Sequence, residues 1–169
     1  MKNTYKGVNE INDILNGFLD EFDAYAEMGH EFAYVYAKSK IEYTCFLDDN
    51  SETYFIKNFH KMAPDIECDP FLVSILHELG HHETLDDIDM FEEIYCLAEK
   101  DAISERYANK NFNTEQELYD AYFNLADEYE ATTWAINYIR ENAVKVKELW
   151  SKLKPALENF YKLNAMEEI

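Results

Sequence analysis

His77-Glu78-Leu79-Gly80-His81 is the stretch on which the reading of this chain turns. At 3.6 residues per turn the two histidines lie one helical turn apart on one face, where two imidazole nitrogens can reach a single metal ion, and Glu78 flanks that face. In hydrolases built this way the glutamate is not a ligand; it takes a proton from a metal-bound water whose pKa zinc has lowered to roughly 7. Five residues can fall into this pattern by chance, so the surroundings decide. Asp69 and Pro70 supply an N-cap and a first helical residue, and Phe71, Leu72, Ile75, Leu76 and Leu79 follow at helical spacing. A buried helix is therefore predicted from Pro70 to between Glu83 and Leu85, where Asp86, Asp87 and Asp89 gather. Ionisable groups on such a helix are costly unless paired or bound to metal, and Gly80 lets another backbone approach. A pair of partly exposed histidines beside an acidic surface is the plainer alternative, and the buried helix argues against it.

A catalytic zinc takes three protein ligands and leaves a place for water. Two arrangements offer the third. Asp87 follows the motif closely, but the tight turn it needs would fall at Thr84, which cannot supply the positive φ of a glycine. A later helix offers Glu128, with Thr132 on the same face one turn on and small Ala131 and Ala135 permitting close packing. Glu128 is the expected ligand and Thr132 a residue that steadies a ligand side chain. Glu130, on another part of that helix with Trp134, is the main competitor, and each of these carboxylates would otherwise be an ordinary solvated charge.

Along the chain, Ile11, Ile14, Leu15, Phe18, Leu19, Phe22, Tyr25 and Ala26 predict one amphipathic helix over Val8 to Met28, stopped at Gly29. Phe32 to Tyr36 and Ile41 to Leu47 read as strands around a Lys38-Ser39-Lys40 turn, a small antiparallel sheet. Phe55, Phe59 and Met62 favour a helix ending at Met62 over a short strand from Thr53 to Ile56, and a loop around Pro64 leads to the motif helix. Further helices are expected from Met90 to about Tyr107, after a capping box of Thr114 and Glu117, from Glu128 to a break near Asn142, and around Leu149 to Leu163, where Pro155 should bend or divide the last. The expected fold is α+β, predominantly helical, with residues 1–169 as a single domain.

The chain has 169 residues, enough for one sizeable core, and 47% hydrophobic content with only four glycines and three prolines, which argues against disorder. Thirty-five carboxylates against 15 Lys and Arg give a net charge of −20. That disfavours direct binding to nucleic acid or an anionic membrane and suits a basic partner. Cys45, Cys68 and Cys96 are odd in number and lack a Cys-x-x-Cys pair, as expected of reduced thiols in a cytoplasmic protein. The polar start, Met1 to Gly7, is unlike a signal peptide, and no apolar run reaches the length of a membrane span.

His77-Glu78-Leu79-Gly80-His81 followed by Glu128-x-x-Ala131-Thr132-x-Trp134-Ala135 resembles the ImmA/IrrE-type zinc metallopeptidases of bacteria, phages and mobile elements. In that family Glu-x-x-Ala-Asn followed by Phe-Ala is common; Thr132 and Trp134 stand where Asn and Phe are usual, and the Leu-Met-Pro-like ending is absent. The resemblance covers the motif helix and one later helix. It implies His77, His81 and Glu128 as ligands of Zn2+, Glu78 as the catalytic base, a zincin-like fold, and cleavage of a regulatory protein such as a repressor.

The leading expectation is a zinc-dependent peptidase acting on a protein substrate. Tyr122, Tyr129, Tyr138 and His82 are oxyanion donors by type, with nothing in the sequence to choose among them. A non-enzymatic acidic interaction protein that mimics nucleic acid is the alternative; the charge favours it and the motif does not. Zinc kept for stability alone is a third reading, disfavoured because no cysteine lies beside the motif.

Overall fold

The computed structural model describes residues 7–28, 32–37, 42–46, 50–67 and 69–165. The described chain is predominantly helical, with α1 (Val8–Leu19), α2 (Asn50–Met62), α3 (Pro70–Glu83), α4 (Met90–Ala108), α5 (Glu115–Phe123), α6 (Ala126–Glu141) and α7 (Ala143–Ala165). Strands β1 (Ala24–Met28), β2 (Phe32–Ala37) and β3 (Glu42–Phe46) pair antiparallel in the order β1-β2-β3. Two compact units form, 1–47 with 138–169 and 48–137, and the division falls within α6.

In the first unit the single helix expected over Val8 to Met28 is not what forms. After Leu19 a 3-10 turn, Asp20–Phe22, leads to Asp23 in the left-handed region at φ 54°, and the chain leaves as β1. Its residues then alternate, with Ala24, Ala26 and Met28 buried and Tyr25 and Glu27 exposed. Helical spacing through Phe22, Tyr25 and Ala26 was too short a pattern to separate from this period of two. Two asparagines on α1 fix the outcome by satisfying strand backbone. The Asn16 side chain accepts from Ala26 N–H (2.7 Å) and donates to Ala26 O (3.2 Å), while Asn12 Oδ1 accepts from Met28 N–H (2.9 Å). The Lys38-Ser39-Lys40 turn and Gly29 lie outside the described residues, as does Cys68.

Pro155 does not divide the last helix, which starts earlier than expected and runs unbroken from Ala143 to Ala165. Proline removes the hydrogen bond to the carbonyl of Ser151, but both residues are exposed, so water can serve that carbonyl. Leu153, Ala156, Leu157 and Phe160 are buried beside it and hold the helix in register.

In the second unit the helix starts follow the sequence. Asp69 Oδ1 accepts from Phe71 N–H at 2.8 Å with Pro70 as the first residue of α3, and Thr114 Oγ1 caps α5 by accepting from Glu117 N–H. The Glu117 side chain turns instead to Arg106 Nη2 at 2.9 Å. Residues Phe71 to Leu79 of α3 are buried except for half-buried Glu78. Helix α2 forms where a short strand was the alternative, and it packs with α4 around α5. No helix among the described residues is long and apolar enough to cross a membrane.

Candidate metal centre

Helices α3 and α6 approach closely at Gly80 and Ala131. A Cβ on Gly80 would stand 2.4 Å from the Ala131 carbonyl oxygen and 3.0 Å from its Cα, which no side chain permits. Ala131 and Ala135 are fully buried, so small residues on both helices let the backbones meet. This contact carries Glu128 and Thr132, one turn apart on α6, up to His77 and His81, one turn apart on α3.

His77 Nε2 lies 3.0 Å from Glu128 Oε2, and His81 Nε2 lies 3.4 Å from Glu128 Oε1. Among the described residues His77, His81 and Glu128 are the one group of three donors close enough to share an ion, with all ligand atoms within 4.8 Å of one another. On the far side of the His77 ring, Nδ1 is 3.1 Å from Thr132 Oγ1. The hydroxyl gives its hydrogen to Glu128 O at 2.9 Å, so its oxygen is the acceptor for a proton on His77 Nδ1. In that tautomer His77 Nε2 presents a bare lone pair to a carboxylate oxygen. A cation shared between the two, a metal ion or a proton on Nε2, satisfies both. Phe55 closes the ring's outer side, its centroid 4.8 Å from that of His77, with Phe123 behind it.

The charges around this centre are coupled. Burial favours neutral His77 and holds it below the ordinary histidine range. Burial would lower His81 too, but attraction and hydrogen bonding to Glu128, with Glu78 nearby, raise it overall. Burial alone would raise Glu128; the two histidines outweigh it and hold the carboxyl well below the usual range. Glu78, enclosed on most sides, is pushed up to about 8 by burial.

Sequence reasoning missed Lys100. Its Nζ lies 2.6 Å from Glu128 Oε1 and also bonds Asp127, which in turn accepts from Glu128 N–H. Lys100 shares the packed side of α4 with Cys96 and Ile103 at helical spacing, the one feature in the sequence that marks it as inward-facing. Tyr122 stands beside it, the ammonium 5.1 Å from the ring centre, and burial together with the Glu128 carboxylate raises its hydroxyl pKa. Of the donors considered by type, Tyr122 is the one tied to Glu128. Tyr129 is exposed, Tyr138 packs against Phe18 and Phe22 in the other unit, and His82 faces Glu83 at 3.8 Å. Asp87 sits exposed on the 3-10 turn Leu85–Asp87, and half-buried Glu130 is outside the cluster. Thr84 ends α3 at φ −105° with its hydroxyl bonded to Gly80 O, so the chain makes no glycine-type turn there.

Two imidazole nitrogens and a carboxylate oxygen, all within 4.8 Å of one another, are a donor set that could hold a metal ion, and zinc is among the ions such donors suit. Comparison with known family models, curated proteins and solved structures finds no match to this chain.

Proposed function

We propose that this protein is a zinc-dependent metallopeptidase of the zincin-like kind, hydrolysing peptide bonds of a protein substrate in the cytoplasm. The observation that carries the reading is the convergence of His77 Nε2, His81 Nε2 and the Glu128 carboxylate, with Thr132 Oγ1 against His77 Nδ1 so that Nε2 faces the carboxylate. The resemblance of the motif helix and of Glu128 to Ala135 to ImmA/IrrE-type peptidases supports the same site and a regulatory protein as substrate.

In this reading His77, His81 and Glu128 would hold the ion, and its chemistry when bound would be Lewis-acid polarisation of water and of the scissile carbonyl. Thr132 keeps His77 oriented, and Lys100 with Asp127 keeps the Glu128 carboxylate from turning away. Glu78 extends from the same helix beside the ligand face; the charge of a bound cation would offset the burial that raises its pKa, leaving a carboxylate that can take a proton from water and return it to the leaving amine. Phe55 and Phe123 keep bulk water from the back of His77. Among the tyrosines considered as donors, Tyr122 is the one whose hydroxyl bonds Glu128.

The test is metal content together with two variants. Protein purified without added zinc should carry about one zinc per chain; His77→Ala should lose it, and Glu78→Gln should keep it while losing hydrolysis of an unfolded protein substrate. Parent protein that neither contains nor takes up zinc overturns the reading. The net charge of −20 favours a second reading, an acidic interaction protein, which requires no metal.

A further inference from the structure

Helix α4 is turned the opposite way from an ordinary amphipathic helix. Cys96 is its one buried residue, and Lys100 and Ile103 are half-buried on the same side. At 100° per residue, Met90, Ile94, Leu97, Phe91 and Tyr95 fall together on the opposite side, facing away from the unit. They are not marginally accessible: Phe91 is 78% exposed, Met90 65% and Ile94 57%. A contiguous stripe of large apolar side chains left in water marks an interaction site.

The charges around the stripe identify what would cover it. On the same projection Glu93 borders one edge, and Glu92 and Glu99 border the other. Asp86, Asp87 and Asp89 precede the stripe, and no Lys or Arg occurs from Leu85 to Glu99. A second copy would set these carboxylates against their own equivalents, in a chain already at −20. An anionic membrane would be repelled in the same way. We propose that the outward face of α4 is a docking surface for a basic amphipathic segment of another protein, whose apolar side chains pack between Phe91 and Ile94 and whose Lys or Arg residues meet Glu92, Glu93 and Glu99. Such a segment satisfies both parts of the surface, the apolar stripe by burial and the acidic rims by complementary charge. The surface needs no metal, so it stands apart from the proposed peptidase activity.

The experiment is calorimetric titration of the full chain with a synthetic amphipathic peptide of leucine and lysine, and with a counterpart carrying glutamate for lysine. The lysine peptide should bind, more weakly as salt rises, and the glutamate peptide should not. Phe91→Ser with Ile94→Ser, both exposed and so harmless to the fold, should weaken binding about ten-fold or more, and Glu92→Gln with Glu93→Gln should reduce both affinity and salt dependence. Equal binding by the serine variant and the parent overturns the proposal, as does equal binding of the two peptides. Sedimentation showing a dimer that the serine variant dissociates assigns the face to a second copy and overturns it too, and serine-sensitive binding to zwitterionic vesicles without peptide binding does so in favour of a lipid surface.

Discussion

Gly80→Ala should damage both the fold and the metal centre, although alanine is ordinarily the better helix former. The added Cβ would lie 2.4 Å from the Ala131 carbonyl oxygen, while ordinary contact begins at 3.4 Å, so α3 and α6 must draw apart by about 1 Å. The atom in the way is backbone and cannot swing aside. Overpacking of this kind costs about 1–3 kcal/mol, against a gain of about 1 kcal/mol from replacing glycine in a helix. A net loss of up to about 2 kcal/mol is expected, read as a lower urea midpoint. The same displacement separates Glu128 from His77 and His81 by several times the roughly 0.2 Å that metal bonds tolerate, so zinc affinity should fall more than ten-fold. Gly17→Ala is the control. Gly17 is exposed in α1 with nothing within 4 Å of a new Cβ, and alanine there should stabilise by about 0.5–1 kcal/mol. A Gly80→Ala protein with the parent's urea midpoint and zinc affinity would refute the claim that close contact of these helices builds the site.

Two further outcomes test the ligand set. Glu128→Ala should abolish tight zinc binding while Glu130→Ala and Asp87→Ala retain it, and Thr132→Val, which removes the acceptor for His77 Nδ1–H, should weaken zinc binding about ten-fold; competition with a chromophoric chelator measures all four. Because bare imidazoles bind the ion, zinc affinity should fall progressively as pH drops from about 7 to about 5, and zinc retained undiminished across that range would argue against histidine ligation.

The site was legible where local spacing decides geometry. His77 and His81 share a face because they are four residues apart, and Glu128 with Thr132 for the same reason. That Glu128 rather than Glu130 meets the histidines followed from Ala131 and Ala135, whose small side chains set the face on which α6 approaches. Lys100 was not legible as part of the site, because its partners, Asp127 and Glu128, lie 27 and 28 residues away and nothing local records the pairing. The first helix was misread for a related reason. Its apolar residues fit either period over a few positions, and side-chain bonds from Asn12 and Asn16, on the preceding helix, determine that the segment from Ala24 is a strand.

Sequence alone determined the caps of α3 and α5, the motif helix and the small-residue face of α6, since these depend on residues within a turn or two of one another. Tertiary structure decided what stands around Glu128 and which way α4 faces. The periodic apolar residues of α4 establish that it is a helix, but a period has no inside or outside until another element covers one side. Here the covered side is that of Cys96 and Lys100, because the ammonium bonds Glu128 and Asp127, and the apolar stripe is left on the surface.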